Sequence, residues 1–184
     1  MRIVLASGSP RRRELLLSCG YDVVVQRPDV DETPRDEAPS AMVLRLARDK
    51  AATAATLAND CVVVAADTTV VLDGAVLAKP ADDADAADML RRLSGRSHEV
   101  LTGYCVRRTL RDARDGVVRT EVTFRHLSQA EIERYVASGE PRDKAGGYGI
   151  QGQGGALVHT VHGSYTNVVG LPLAEVIAAI RELA

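Results

Sequence analysis

The sequence predicts an α/β fold, α+β-like in having a mixed sheet, and three observations carry that expectation. Short β-branched runs alternate with stretches of helical apolar spacing, the pattern of strand and helix in succession. One run, "CVVVAA" from Cys61 to Ala66, is apolar without interruption, as in a central strand covered on both faces. Two dipeptides, Asp73-Gly74 and Asp115-Gly116, are favoured hairpin turns and call for antiparallel neighbours, so the sheet is not purely parallel.

Element by element, Ile3 to Ala6 reads as a short buried strand, with Ser9 as helix N-cap, Pro10 at the first helical position and Gly20 as the stop. Tyr21 to Gln26 is the next strand. The polar loop "RPDVDETPRDEAP" follows, expected to be exposed and mobile. Ser40 is placed to cap a long helix running to about Leu57. After the hairpin at Asp73-Gly74, Asp83 to Leu93 forms an amphipathic helix ended by Gly95. Two strands, His98 to Val106 and Val117 to Phe124, are then joined around Asp115-Gly116. Ser128 and Glu131 form a capping box for a helix to about Ala137. The glycine-dense loop "KAGGYGIQGQGG", a strand from Ala156 to Val161 and a closing helix from Leu173 to Leu183 complete the chain.

With 184 residues, 46% hydrophobic and 26% charged, the chain suits a single domain over 1–184, or two small lobes, with a real core. A net charge of −2 and 3% aromatic residues argue against nucleic acid or a membrane surface as partner, because neither bulk attraction nor base stacking is provided for. Cys19, Cys61 and Cys105 are widely spaced and suggest neither a disulfide framework nor a zinc site. The apolar run Ile3 to Ala6 is too short for a signal peptide, and a cytoplasmic location is expected.

The candidate chemistry starts at "LASGSPRRRELL". Arg11, Arg12 and Arg13 occupy the first turn of a helix, where the free N–H groups and macrodipole already favour anions. With Gly8 and the hydroxyls of Ser7 and Ser9 beside them, they make a phosphate-type anion pocket, although a solvated arginine face is the alternative. Asp67, in "AADTT", is expected at the carboxyl end of a central strand, where a carboxylate serves as a general base or metal ligand, or else caps a turn. Lys50 and Lys79 can join the arginines in clamping a triphosphate, and Asp31 or Glu32 offers the second carboxylate that a hard cation needs. In the glycine loop Tyr148 can stack on a flat ligand, and Gln151 can pair with an amide edge; a flexible surface loop is the alternative. His98, His126, His159 and His162 show no metal-ligand spacing, and Ser164 has no triad context.

The ordered set "ASGSPRRRELL", "DVDETP", "RLARDKA", "AADTTVVLDGAVLAKP", "MLRRLSG", "YVASGEPRDKAGGYGIQG" and "NVVGLPL" resembles the Maf family of nucleoside triphosphate pyrophosphatases across nearly the whole chain. The resemblance implies a mixed sheet in two lobes around a deep cleft, as in inosine triphosphate pyrophosphatases. It implies hydrolysis between the α and β phosphates, a divalent cation (Mg²⁺, Mn²⁺ or Co²⁺) and often a homodimer. Matched motif by motif, Asp67 falls on the catalytic acidic position, and Ser7, Arg11, Arg12, Lys50 and Lys79 fall on phosphate-contacting positions. Glu32 falls near the metal and triphosphate. The branch acting on dTTP and UTP resembles this chain in Arg11, Thr68 and Gln151, where the 7-methyl-GTP branch has an aromatic residue, Gln and Glu. The alternative reading is a nucleotide-binding regulator of septum formation that works through protein partners.

Overall fold

The computed structural model describes residues 1–56, 61–108 and 112–183. Its elements run β1 (Arg2–Ala6), α1 (Pro10–Ser18), β2 (Asp22–Gln26), α2 (Pro39–Ala55), β3 (Val62–Leu72), β4 (Ala75–Leu77) and α3 (Asp83–Leu93). They continue as β5 (Ser97–Arg107), β6 (Ala113–Phe124), α4 (Gln129–Ala137), β7 (Val158–His162), α5 (Tyr165–Val169) and α6 (Leu173–Leu183). The strands form a sheet in the order β2-β1-β3-β5-β6-β7, with β4 paired to β3. It is mixed, as the Asp73-Gly74 hairpin predicts: β1 lies parallel to β2 and β3, while β4 and β7 pair antiparallel with β3 and β6.

The chain divides into two compact units, the first comprising Met1–Thr68, Thr102–Val118 and Gly170–Ala184. Here β1 and the first half of β3 read as apolar runs because helices cover both their faces. Ile3, Leu5, Val62, Val64 and Ala66 pack with Leu16 of α1 and with Val176, Ala179 and Ile180 of α6. The alternate residues Val4, Ala6, Val63 and Ala65 pack on Ala47, Ala51 and Ala54 of α2. The period-2 alternation of side chains therefore assigns each strand residue to one helix layer. The alanines let α2 lie close, and at Gly103 of β5 a Cβ would meet the Val43 carbonyl oxygen of α2 at 2.3 Å.

The second unit comprises Thr69–Leu101 and Arg119–Val169. Its core joins Val70, Leu72, Val100, Val122 and Phe124 of the strands to Leu90 and Leu93 of α3 and Ile132 and Tyr135 of α4. Asp82 caps α3 by accepting the Asp85 N–H, and Ser128 with Glu131 closes the capping box of α4.

Several boundaries differ from the sequence reading. The long helix α2 starts one residue before Ser40, at Pro39 after Ala38, because proline preorganises the first helical position without a side-chain cap. Its expected end near Leu57 lies outside the described residues. Asp115-Gly116 is inside β6, not at a turn; Asp115 instead receives two N–H donors from Arg48 of α2 at 2.8 Å each, and the Arg108 N–H donates to the Asp112 carbonyl at 3.2 Å. The last strand begins at Val158, after a 3₁₀ stretch over Gly152–Leu157.

Candidate active site

Asp67 is the sixth of eleven residues in β3, rather than at that strand's end. The neighbouring strand explains why it is nevertheless open to a ligand. The β1–β3 register runs Ile3↔Val62 to Leu5↔Val64, and β1 stops at Ala6, so β3 continues past its partner before reaching Asp67. The alternation set by the core then sends Asp67 to the α2 layer, with Val63 and Ala65, and Thr68 to the α1 and α6 layer, with Val64 and Ala66.

On the α2 layer the Lys50 ammonium stands 2.6 Å from Asp67 Oδ1 and 2.7 Å from Glu32 Oε1. The Lys50 and Asp67 side chains are 12% and 17% exposed, so this pair is largely withdrawn from water, whereas Glu32 is 60% exposed. The loop carrying Glu32 is tied to α2 as well, through Arg45. Its guanidinium forks onto Glu37, and its Nη1 donates to the Asp31 carbonyl at 3.5 Å. The hydrogen bond from Arg45 holds the Glu37 carboxyl below its ordinary range, and the same bond raises the pKa of Arg45. Arg45 opens the motif "RLARDKA" that also holds Lys50, so its presence is visible in the sequence, but its target is not.

The opposite layer belongs to Arg12. Its Nε donates to the Gly170 carbonyl at 2.7 Å, Nη1 to Ser7 Oγ at 2.9 Å and the Ala66 carbonyl at 2.8 Å, and Nη2 to Thr68 Oγ1 at 3.0 Å. Four of the five guanidinium N–H donors are thus engaged within the first unit. Thr68 Oγ1 also lies 2.9 Å from Thr102 Oγ1 and donates to the Gly170 carbonyl at 3.3 Å. Burial lowers the Arg12 pKa, against the opposing pull of the Asp67 charge. Ser7 is buried, and its hydroxyl also accepts the Ser9 N–H at 3.2 Å. Ser9 caps α1 by accepting the Arg12 N–H, and Arg13 is exposed. Thr102 and Gly170, which complete this network, are residues that the sequence reading missed, since neither type advertises a role at a distance.

The structure therefore gathers Ser7, Arg12, Glu32, Lys50, Asp67 and Thr68 around one stretch of β3, with Arg11 on the same helix as Arg12. Lys79 and Gln151 belong to the second unit, where both are exposed. Tyr148 does not offer a stacking face: it is 5% exposed, its hydroxyl is 2.7 Å from His98 Nε2, and its ring meets His98 and Phe124 edge-on. An aromatic between glycines suggests a ligand platform, but here the glycines let the chain turn the ring inward. His159 and His162 lie exposed on β7.

Chemically, the arrangement supplies a shielded carboxylate held by an ammonium, a second carboxylate converging on the same cation, and hydroxyl and cationic groups nearby. That is a set for binding an anionic substrate and accepting a proton from water. Among the described residues no helix is long and apolar enough to cross a membrane. A protein from Anaeromyxobacter dehalogenans (strain 2CP-C) named dTTP/UTP pyrophosphatase is 56% identical over 98% of this chain and 93% of its own length. A protein of the same name from Vibrio cholerae is 55% identical over 95% and 94%. The solved Ham1 protein of Staphylococcus aureus superposes with a TM-score of 0.51 at 16% identity, covering 86% of this chain and 80% of that one, a likeness of fold. The family described as Maf-like protein matches residues 2–183, and the chain belongs to that family.

Proposed function

We propose that this chain is a hydrolase of nucleotide metabolism, a nucleoside triphosphate pyrophosphatase that converts dTTP and UTP to the monophosphate and pyrophosphate. The observation that carries the reading is the Asp67 carboxylate held 2.6 Å from Lys50, in a chain so similar to proteins bearing that name. Asp67 takes the proton from the attacking water. The water oxygen bonds to phosphorus, the α–β anhydride bond breaks, and pyrophosphate leaves. Lys50 keeps Asp67 oriented and adds positive charge beside the phosphates. Ser7, Arg11, Arg12 and Lys79 contact phosphate oxygens, Arg12 through its one uncommitted N–H and its charge. Arg11, Thr68 and Gln151 set the preference for pyrimidines. In this reading the protein works in the cytoplasm.

Glu32 and Asp67 are the residues that would hold a divalent cation, and their donor chemistry fits: both present hard carboxylate oxygens, and both already converge on one positive charge. No cluster of three or more His, Cys, Asp or Glu side chains suited to a metal occurs among the described residues, so phosphate oxygens and water would complete the coordination. A bound Mg²⁺, Mn²⁺ or Co²⁺ would neutralise phosphate charge.

The test is a nucleotide panel assayed for monophosphate and pyrophosphate release with each of the three metals. Turnover of dTTP and UTP above the purine triphosphates is expected, and Asp67→Asn should lose about 10²- to 10⁴-fold in kcat with an unchanged fold. Nucleotide binding without turnover in the parent chain would replace this reading by that of a regulator. Undiminished kcat in Asp67→Asn would remove Asp67 from the mechanism.

A further inference from the structure

Glu140 lies within the motif "YVASGEPRDKAGGYGIQG", and its carboxylate organises the glycine segment. Tyr135 of α4 donates its phenol O–H to Glu140 Oε1 at 2.9 Å. The Gly154 N–H donates to the same oxygen at 3.2 Å, and the Gln153 N–H to Oε2 at 3.1 Å. The Tyr135 oxygen in turn accepts the Gly149 N–H at 3.1 Å, and the Glu140 carbonyl accepts from Lys144 Nζ at 2.6 Å. Burial raises the Tyr135 pKa, which keeps the phenol a donor toward the carboxylate. The packing is close: a Cβ at Gly154 would lie 2.1 Å from the Gly149 carbonyl oxygen and 2.6 Å from the Tyr135 hydroxyl.

Gln151 sits in the middle of this arrangement. The backbone is tethered two residues before it, at Gly149, and two residues after it, at Gln153, while Gln151 itself is exposed. An amide that reads a base edge must present donor and acceptor together in one plane, and a glycine-rich backbone does not hold that orientation unaided. We propose that Glu140, with Tyr135, is a positioning residue for base selection, fixing the backbone on both sides of Gln151 so that its amide meets the pyrimidine edge in one orientation. This rests on the reading of the chain as a dTTP/UTP pyrophosphatase whose Gln151 contacts the base.

The variant Glu140→Gln keeps the size of the side chain but turns one accepting oxygen into an NH₂ group facing a backbone N–H. It should lower kcat/KM for dTTP and UTP by about tenfold or more, chiefly through KM, with little change for dATP and GTP. Combined with Gln151→Ala, it should add little to the loss from Gln151→Ala alone. Amide hydrogen exchange at Gln153 and Gly154 should speed up. A role in folding alone would instead depress all nucleotides equally and add to Gln151→Ala. An unchanged pyrimidine-to-purine ratio, or unchanged exchange at the two amides, overturns the inference. Should Glu140→Gln fail to fold, Tyr135→Phe, which removes the bridging hydroxyl and keeps the ring, is read by the same criteria. If the parent chain hydrolyses no nucleotide, the pyrophosphatase reading falls and base selection with it, while the exchange data still decide whether the tether exists.

Discussion

Arg12 shows how one side chain can carry a structural task beside the one its position in a sequence suggests. In the chain it is the middle of three arginines at a helix start, a natural phosphate ligand. In the structure its fork is spent on the carbonyls of Ala66 and Gly170 and the hydroxyls of Ser7 and Thr68, so its charge is fixed beside β3 one residue from Asp67. A lysine has the charge but not the planar fork, and would leave buried carbonyls without donors. Arg12→Lys should therefore destabilise the chain by about 2–4 kcal/mol, read as a lower urea midpoint, even though net charge is unchanged. The acidic partner was legible: an Asp following six apolar or small residues stands out in any sequence. What surrounds it was not, because Lys50 is 17 residues distant and Gly170 is 158 residues from Arg12.

At the scale of elements, α2 links packing to the site. It lays its alanines on β1 and β3 while carrying Lys50 to Asp67 and Glu32, and Arg45 to the loop that bears Glu32. Its approach to β5 depends on Gly103, whose added methyl would collide with backbone rather than with a side chain able to rotate away. Gly103→Ala should cost about 1–3 kcal/mol of stability and, by moving α2, lower kcat as well. Parallel measurement of the urea midpoint and dTTP turnover checks both; an unchanged midpoint would show that α2 shifts freely. Elements with strong local signals, the Ser9 cap of α1, the capping box of α4 and the Asp73-Gly74 turn among them, were readable in the sequence. The hairpin misplaced at Asp115-Gly116 was not, since an Asp-Gly pair is also acceptable in a strand when a distant arginine engages the Asp.

For the whole molecule, the buried His98 sets a pH dependence of stability. It is 3% exposed, and burial pushes its pKa down to about 4 from 6.5. The unfolded chain takes up this proton as pH falls below about 6.5, and the native state does so only near 4. The neutral imidazole's contribution is thus complete above the unfolded value and is lost progressively across the interval, about 3 kcal/mol by its lower end. The double variant His98→Phe with Tyr148→Phe should flatten the stability curve between pH 6.5 and 4, measured by urea unfolding at a series of pH values. A curve of unchanged slope would show that His98 does not govern it. The Glu131 carboxyl, held at about 2 by hydrogen bonds from the Ser128 backbone and hydroxyl and from Arg125, acts in a lower interval, below its ordinary value of 4.5.

The sequence by itself determined the mixed sheet, most element boundaries and the short catalogue of charged residues that make up the candidate site. These follow from local physics, namely residue periodicity, caps and turn chemistry, together with motifs whose order identifies a family. Only the tertiary structure decided that Asp67 and Thr68 face opposite helix layers, that Lys50 is shared by two carboxylates, that Tyr148 belongs to the core and that Glu140 ties the segment around Gln151. The reason is common to all four: each depends on a side chain meeting atoms far along the chain or on the other side of a turn. A hydrogen-bond donor reveals its type in the sequence, whereas its acceptor is chosen by the fold.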